Sequence, residues 1–285
     1  MELGALSVAR DALTGAACVA GEAHWLDAGI AADLPFKGDR LAARAALEVA
    51  LPHLDVIVQI KARRRRSFLI ADMDSTMITC ECIDELADYA GLKSQVALVT
   101  EAAMRGELDF EGALRSRVAL LKGLPEAVIQ DCLRERVKIT PGAKALVGTI
   151  KANGGAAVLV SGGFTCFADA VAAEIGFDKA VANQLGISNG AIDGTVQGDI
   201  VDADTKRDTL MAELHARQWP ISASLAVGDG ANDIPMIVEA GLGVAYHAKP
   251  KTAAAAPARI VHGDLSALLY ACGYCRADWV ATDGR

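Results

Sequence analysis

Two acidic clusters, each directly after a short apolar run, constrain the fold of this chain more than any other feature. Asp72 and Asp74 follow the apolar run 67–71, and Asp229 follows the apolar run 225–227. Short apolar runs of this kind are typical of strands that are buried on both faces of an α/β sheet. Carboxylates that lie close together repel one another, so the clusters require a cation, a shared proton, or both. The pattern therefore predicts a site for a hard cation at the carboxyl edge of a parallel sheet.

The composition limits the class of protein. With 285 residues, of which 52% are hydrophobic, the chain can bury a large core and hold two domains. Its 36 acidic residues exceed its 28 basic ones, and the net charge of −8 disfavours nucleic acid as a partner. No apolar run is long enough to span a membrane, and Glu2, Arg10 and Asp11 argue against a signal peptide. We therefore expect a cytoplasmic protein without nucleic-acid or membrane partners.

The cysteines favour the same location. Seven cysteines at irregular spacing are typical of reduced thiols rather than of a disulfide framework. Two close pairs, Cys80 with Cys82 and Cys272 with Cys275, leave a zinc site open as an alternative. One pair follows the first acidic cluster and the other lies near the C-terminus, so small buried hydrophobic side chains are the preferred interpretation.

Residues 1–62 are predicted to form a small α+β unit similar to an ACT domain. Helix-like and strand-like segments alternate in it, at 6–17, 24–36, 39–51 and 55–60. Four arginines follow at 63–66. They are interpreted as a basic, solvated linker, because a nucleic-acid patch would have more basic residues and interleaved aromatic side chains.

From residue 67 onward, alternating strands and helices predict a doubly wound, Rossmann-like parallel sheet. Further strands are predicted at 157–160, 225–227 and 243–246, and helices at 142–151, 167–175, 206–217 and 233–240. The stretch 81–138 is longer than a simple crossover and has helical periodicity, so we expect an inserted helical cap there. The catalytic core would then comprise 67–80 and 139–285, with a β-hairpin or flap within 181–200.

Two more polar positions lie between the acidic clusters. Ser161 and Gly162 end the second predicted strand, where a hydroxyl and backbone N–H groups can hold phosphate oxygens. Lys206 begins a helix and could place its ammonium on a phosphate. Taken singly, these features are better explained as an ordinary turn and a surface lysine, but their order along the sheet favours phosphoryl transfer. A carboxylate can attack phosphorus, and a hard cation can neutralise the phosphate for that attack.

These motifs, in this order, resemble the four motifs of the haloacid dehalogenase superfamily of phosphohydrolases. The matching positions are Asp72, Asp74 and Thr76 for the DxDxT motif, then Ser161, Lys206 and the segment 228–233. The resemblance implies an α/β sheet of the haloacid-dehalogenase type, with the helical cap inserted between the first two motifs.

The resemblance also implies a role for each acidic residue. Asp72 would be the nucleophile and Asp74 the general acid and base, so Asp72 must be anionic while the pKa of Asp74 must be raised. Mg²⁺ would be held by the carboxylates of Asp72 and Asp229 and by the backbone carbonyl of Asp74. Asp233 would lie behind these ligands and orient water or Lys206.

A closer resemblance, to the phosphoserine phosphatase family of this superfamily, covers residues 67–275. It is carried by the segments 72–85, 114–121, 160–164 and 227–233. It implies hydrolysis of O-phospho-L-serine to L-serine and phosphate, the last step of the phosphorylated serine route. Such a substrate requires an anion for its ammonium group and an arginine for its carboxylate. The resemblance assigns these roles to Glu81 and Arg117. The other implied substrate contacts are Ser161, Gly162, Lys206 and Asn232 at the phosphate, and Met104 and Phe110 on the cap.

Three alternatives stay open from the sequence. The chain could dephosphorylate another small phosphate, or it could transfer the phosphoryl group to an alcohol such as homoserine. It could also be a serine-sensing interaction protein in which residues 1–62 are the active part. Intact Asp72, Asp74, Lys206 and Asp229 argue against the last alternative. The oligomeric state is open, with a homodimer among the outcomes.

Overall fold

The structure is a computed structural model that describes residues 3–104 and 107–281. Its first unit contains α1 (Leu3–Gly15), β1 (Val19–Ala20), β2 (His24–Asp27), β3 (Ala31–Asp33), β4 (Phe36–Lys37) and α2 (Arg40–Ala50). Strand β1 pairs with β4 and β2 pairs with β3, both antiparallel. Asp39 caps α2, because its carboxylate accepts a hydrogen bond from the Ala42 N–H at 2.8 Å. Buried Leu13 of α1 and Leu47 of α2 belong to the small core that this unit forms.

The strand predicted at 55–60 is wrong. Within residues 3–104 and 107–281 this segment pairs with no strand, and it runs between the first unit and the rest of the molecule. Val56 and Val58 pack against the core of the first unit, whereas Ile57 packs against the main core. The alternating pattern therefore reflects two apolar surfaces on either side of an extended segment. The ACT-like interpretation stays a prediction that depends on the helices and the short strands alone.

In the arginine run, Arg63 and Arg65 are exposed as in a solvated linker, whereas Arg66 is buried. Arg66 is only 4% exposed and donates hydrogen bonds to the carbonyl oxygens of Ser222 and Gly241, at 2.5 and 3.4 Å. The guanidinium of Arg65 lies 3.7 Å from the ring centre of Tyr274. The run therefore fixes the connection between the two units through backbone carbonyls and an aromatic ring.

In the part of the chain that the structure describes, the main sheet has seven strands, of which six are parallel, and this confirms the predicted doubly wound fold. The strands are β5 (Phe68–Ala71), β6 (Ala156–Phe164), β7 (Lys179–Ser188), β8 (Ala191–Gln197), β9 (Ser224–Gly228), β10 (Leu242–Tyr246) and β11 (Ala258–Ile260). Their order is β11-β10-β9-β5-β6-β7-β8, and only β8 is antiparallel, as the second strand of the predicted hairpin. After β5 the chain builds the sheet first to one side and then to the other. The carboxyl end of β5 is thus the switch point at which such sheets bind ligands.

Helices cover both faces of this sheet. They are α7 (Ala143–Ala152), α8 (Thr165–Ile175), α9 (Ala203–Ala216), α10 (Ile234–Glu239), α11 (Pro250–Ala255) and α12 (Ala267–Ala271). Successive side chains of β5 point to opposite faces of the sheet. Leu69 belongs to the hydrophobic core on the face covered by α7 and α8, and Ile70 belongs to the core on the face covered by α9 and α10. Burial on both faces explains why β5 has a continuous apolar sequence.

The cap consists of α3 (Cys82–Tyr89), α4 (Lys93–Met104), α5 (Phe110–Leu120) and α6 (Ala127–Glu135). Its two connections to the sheet meet where Ile78 and Ile139 form an antiparallel bridge. On the far side, the loop between α5 and α6 pairs with the β7–β8 hairpin. Gly123 N–H donates to Ile192 O at 2.8 Å, and Ile192 N–H donates to Leu124 O at 2.9 Å. The cap is therefore attached to the core at two places.

Among the described residues, none of the helices combines the length and the apolar character that a membrane crossing requires. All seven cysteines are free thiols, and Cys18, Cys82, Cys132 and Cys272 are buried. In each of the two close pairs one cysteine is buried, Cys82 or Cys272, and the other, Cys80 or Cys275, is partly exposed, so the interpretation as a small buried hydrophobic side chain holds for one member of each pair.

Replacement of Arg66 tests the connection between the two units. Arg66→Met removes the donors for the carbonyls of Ser222 and Gly241, and it should lower the free energy of unfolding by about 1–3 kcal/mol. Urea denaturation of the full chain measures this loss. Arg63→Met is the matched control, because that side chain is exposed and its replacement should stay within about 0.5 kcal/mol of the parent. Equal losses in the two variants would contradict the role given to Arg66.

Candidate active site

Two neighbouring parallel strands bring the acidic clusters together. Ala71 of β5 pairs with Val227 of β9, so the residues that follow both strands meet at one edge of the sheet. The Asp72 N–H donates to Val227 O at 3.0 Å and continues this pairing by one residue. As a result, one carboxylate oxygen from each of Asp72, Asp229 and Asp233 lies within 4.8 Å of the others, and all three residues are buried.

Lys206 lies in the first turn of α9 and bridges two of these carboxylates. Asp202 caps the helix by accepting a hydrogen bond from Thr205 N–H at 2.8 Å. The fully buried ammonium of Lys206 then donates to Asp72 Oδ1 and to Asp233 Oδ1, each at 2.7 Å. Burial alone would lower the pKa of Lys206, but the two carboxylates outweigh burial and raise that pKa above its usual value. The two carboxylates therefore favour the protonated, positively charged form of Lys206.

Both carboxylate oxygens of Asp233 accept hydrogen bonds from the protein. Its Oδ1 accepts from Lys206, and its Oδ2 accepts from the Gly230 N–H at 2.9 Å. Among the described residues, by contrast, no donor reaches Oδ2 of Asp72 or of Asp229. Asp72 and Asp229 thus have oxygens to offer to a ligand, whereas Asp233 fixes Lys206 and the turn after β9.

The site has more negative than positive charge. Burial and then Asp233 raise the pKa of Asp72 well above its usual value, and Lys206 only partly opposes them. Burial, Asp233 and Glu81 raise the pKa of Asp229 to about 6. Because one lysine serves three buried carboxylates, the site suits an additional cation. Carboxylate and carbonyl oxygens are the ligands that Mg²⁺ prefers, so these residues fit the expected metal.

Asp74 follows Asp72 in the same loop and has different surroundings. Its Oδ1 accepts a hydrogen bond from the Cys82 N–H at 3.2 Å. A Cβ at Gly163 would lie 2.8 Å from its Oδ2, so this close approach requires glycine. Burial and the charge of Glu81 raise the pKa of Asp74 to about 7. A group with this pKa can both donate and accept a proton near neutral pH.

A turn at Ser75 fixes the position of Glu81. Glu81 was predicted from the sequence as a site residue, but Ser75 was not. Ser75 has a φ of 55°, in the left-handed region, and its N–H donates to Cys80 O at 3.1 Å. Its hydroxyl donates to Glu81 Oε1 at 2.7 Å. In the same turn, Thr76 donates to Asp229 Oδ1 at 3.4 Å. The loop after β5 therefore positions residues of both acidic clusters and of the cap.

The predicted phosphate contacts Ser161 and Gly162 lie inside β6, which runs to Phe164, at an irregularity in its pairing with β7. Ser161 is buried, and its hydroxyl oxygen accepts a hydrogen bond from the Gly163 N–H at 2.9 Å. Asn183 of β7, also missed from the sequence, donates to Gly162 O and accepts from the Val201 N–H, both at 2.8 Å. The available signal was an asparagine inside a strand, where this residue type is disfavoured.

Two predicted substrate contacts meet at Gly162. A Cβ on Gly162 would lie 2.9 Å from Phe110 Cζ and 3.6 Å from Asn232 Nδ2. Phe110 is the first residue of α5, whose N-cap Asp109 accepts a hydrogen bond from Gly112 N–H at 2.7 Å. The cap thus places an aromatic ring directly against Gly162 near the end of β6.

Arg117 and Met104 are the remaining predicted contacts. Arg117 is partly buried on α5 and donates to Ala113 O at 3.3 Å. Burial and Glu81 raise the pKa of Asp84 whereas Arg117 lowers it, so Arg117 and Glu81 act on the same carboxylate. Met104 is the last residue of α4, and its side chain lies outside the described residues.

Comparison with known proteins gives the family. Residues 69–237 match the model of the haloacid dehalogenase-like hydrolases. The chain belongs to this family. The match begins inside β5 and ends in α10, so it includes both acidic clusters, the end of β6 and Lys206.

The relatives of the chain include phosphoserine phosphatases. That of Haemophilus influenzae is 44% identical over 223 residues, which cover 78% of this chain and 70% of that protein. The unliganded structure of a probable phosphoserine phosphatase from Vibrio cholerae has a TM-score of 0.78 at 34% identity, covering 98% of this chain and 85% of that one. The structure of a phospho-aspartyl intermediate analogue of phosphoserine phosphatase has a TM-score of 0.67 at 35% identity. The match covers 72% of this chain and 98% of that chain. The resemblance inferred from the sequence is confirmed, and the chain is an enzyme of the hydrolase family.

Removal of the buried ammonium tests the charge balance of the site. Lys206→Met leaves Asp72 and Asp233 buried without their cation, and it should lower the free energy of unfolding by about 3–5 kcal/mol. Urea denaturation at neutral pH without divalent ions measures this. The control is Lys179→Met, which removes an exposed ion pair with Glu213 and should cost less than about 1 kcal/mol. A loss at Lys206 as small as at Lys179 would show that the bridge is not required.

Proposed function

We propose that this chain is a Mg²⁺-dependent, cytoplasmic phosphoserine phosphatase that hydrolyses O-phospho-L-serine to L-serine and phosphate. It would complete the phosphorylated route to serine. The observation that carries the proposal is the pair of aspartates in the loop after β5. Asp72 is held by a buried ammonium at 2.7 Å, and Asp74, two residues on, has a pKa of about 7. One is suited to attack and the other to proton transfer. The names of the relatives support the choice of substrate.

Asp72, Asp74 and Asp229 would hold the metal, through two carboxylates and the backbone carbonyl of Asp74. When bound, Mg²⁺ supplies positive charge that neutralises the phosphate and favours the ionised form of the nucleophile. Asp233 would lie outside this ligand set, because each of its oxygens already accepts a hydrogen bond, whereas Oδ2 of Asp72 and of Asp229 accepts none among the described residues.

The first chemical step forms an aspartyl-phosphate. A carboxylate oxygen of Asp72 attacks phosphorus, and the bond from phosphorus to the serine oxygen breaks. Lys206 and the Met73 N–H hold the other oxygen of Asp72 and so orient the attack. The protonated carboxyl of Asp74 donates its proton to the departing alkoxide, which leaves as serine.

The second step hydrolyses the aspartyl-phosphate. Asp74, now ionised, accepts a proton from water as the water oxygen attacks phosphorus, and phosphate and the free Asp72 carboxylate are released. The close approach of Gly163 keeps the carboxyl group of Asp74 next to the last residues of β6. Phe110 on the cap covers Gly162 of the same strand and limits access of bulk water to the site.

The groups around the reacting phosphate provide recognition. Ser161, Gly162, Asn232 and Lys206 would bind the phosphate oxygens. Glu81 would bind the ammonium group of the substrate, and the hydrogen bond from Ser75 holds its carboxylate in place. Arg117 would bind the substrate carboxylate, with Phe110 and Met104 as the apolar cap side of the pocket.

A phosphate-release screen over phosphorylated metabolites tests the proposal. The parent chain should release phosphate from O-phosphoserine with Mg²⁺ and should lose this activity in EDTA.

Asp72→Asn should reduce turnover by roughly 10⁴-fold or more, because the amide cannot attack phosphorus, while the fold is retained. Asp204→Asn, at an exposed position of α9, is the control. Ordinary activity of Asp72→Asn, or full activity in EDTA, would refute the mechanism. Transfer of the phosphoryl group to added homoserine, without free phosphate, would favour the phosphotransferase.

Substrate recognition is tested at Arg117. Arg117→Ala removes a charge-assisted contact to the substrate carboxylate, so kcat/KM for phosphoserine should fall about 10–100-fold. Hydrolysis of p-nitrophenyl phosphate, which has no carboxylate, should be nearly unchanged. Arg115→Ala lies on the same helix, pairs with Glu111, and should affect the two substrates alike. Equal losses on both substrates in Arg117→Ala would contradict its assigned role.

A further inference from the structure

Strand β6 leaves its regular pairing with β7 at the residues proposed to bind phosphate. Between the pairs Val160–Val181 and Phe164–Asn183, β6 has three residues and β7 has one. An excess of residues on one strand bends that strand and leaves some of its backbone groups without their usual partners. Residues 161–163 therefore need partners from outside the regular pairing of the two strands.

The side chain of Asn183 supplies one of these partners. Its Nδ2 donates to Gly162 O at 2.8 Å, and its Oδ1 accepts from the Val201 N–H at 2.8 Å. Because Gly162 O can only accept and the Val201 N–H can only donate, the amide has one satisfied orientation. Asn183 is only 1% exposed, so both hydrogen bonds are shielded from water. The amide thus holds the carbonyl of Gly162 in a fixed direction.

The carbonyl that Asn183 holds belongs to the peptide group between Gly162 and Gly163. The C=O and N–H of one trans peptide group lie in one plane and point in opposite directions, so a fixed Gly162 O also directs the Gly163 N–H. That N–H donates to the hydroxyl oxygen of Ser161 at 2.9 Å. Neither glycine has a Cβ that would restrict rotation of this peptide group, so its orientation depends on the amide of Asn183.

The hydroxyl of Ser161 keeps its hydrogen for another acceptor. Ser161 is only 1% exposed, and its oxygen accepts from Gly163. A hydroxyl also has one hydrogen to donate, and among the described residues this hydrogen has no acceptor. A Cβ at Gly163 would lie 3.1 Å from Ser161 Oγ and 2.8 Å from Asp74 Oδ2, so the hydroxyl lies in the site beside Asp74. The O–H is therefore available to a phosphate oxygen.

We propose that Asn183 is a positioning residue that, through the peptide group 162–163, directs the O–H of Ser161 toward the substrate phosphate. The inference rests on the proposed function, because it takes Ser161 and Gly162 as phosphate contacts. Asn183 acts through the peptide group and does not touch the substrate. Through Val201, which directly precedes the N-cap of α9, the same amide also joins these contacts to the helix that carries Lys206.

Asn183→Leu tests the proposal, because it removes both hydrogen bonds at nearly the same side-chain volume. Binding of inorganic phosphate in the presence of Mg²⁺, measured by calorimetry, should weaken about 10-fold or more. In the same variant, kcat/KM for phosphoserine should fall about 10–100-fold.

Ser224→Ala is the matched control. Ser224 is also buried, donates to Ile221 O at 2.7 Å and accepts from the Gly241 N–H at 3.0 Å. It differs from Asn183 in its place, because it begins β9 and so lies at the edge of the sheet opposite the site. Ser224→Ala should be less stable in urea than the parent and should bind phosphate as the parent does.

A double-mutant cycle tests the route through Ser161. Ser161→Ala should weaken phosphate binding about 10-fold, because it removes the donor itself. Adding Asn183→Leu to this variant should weaken binding by less than about 3-fold further, since the hydroxyl that the amide directs is already absent. Losses that multiply in the double variant would overturn the proposal.

Other outcomes would overturn it as well. These are a phosphate affinity of Asn183→Leu equal to that of the parent, a loss in Ser224→Ala as large as in Asn183→Leu, or a parent that binds no phosphate. If Asn183→Leu does not fold, Asn183→Ala takes its place, and failure of both to fold would make Asn183 a structural residue only. Phosphate binding does not depend on which ester is the substrate. A parent that binds phosphate without hydrolysing phosphoserine would therefore overturn the proposed function and leave this inference intact.

Discussion

The buried ammonium of Lys206, shared between two aspartates, is the interaction on which the rest of the site depends. It connects α9 to the loop after β5 and to the turn after β9, so three elements of the sheet edge are fixed by one cation. Without it, Asp72 and Asp233 would be buried like charges with no counterion, which is among the most costly arrangements in a protein interior. With it, the site still has excess negative charge, and this is the property that suits a divalent cation.

The fold makes this arrangement available at its switch point. Chain segments run to opposite sides of β5, and the ends of β5, β6 and β9 open toward the same edge. The inserted cap then closes over that edge. It is bound to the core by the bridge between Ile78 and Ile139 and by backbone hydrogen bonds to the β7–β8 hairpin. Phe110 on the cap and Gly162 on the core thus meet because both ends of the cap are attached.

Much of this could be predicted from sequence because its causes are local. A strand buried on both faces must be continuously apolar, and parallel strands bring the residues after them to one edge, which gives Asp72 and Asp229 their proximity. Asn183 and Ser75 were not predicted, because the role of each depends on a partner that only the folded chain brings near. Asn183 donates a hydrogen bond to Gly162 O, and Ser75 donates one to Glu81. The segment 55–60 was assigned wrongly because an extended chain between two apolar surfaces has the same alternation as a strand.

Transient phosphorylation of Asp72 is the central claim, and a burst experiment with Asp74→Asn tests it most directly. This variant cannot activate water, but p-nitrophenolate leaves without needing a proton, so the first step should proceed and the second should stall. The account predicts a stoichiometric burst of p-nitrophenolate in the presence of Mg²⁺ and, after acid quench, a phosphoryl group on the peptide that contains Asp72. Steady turnover without a burst, or a phosphoryl group on any other residue, would contradict it.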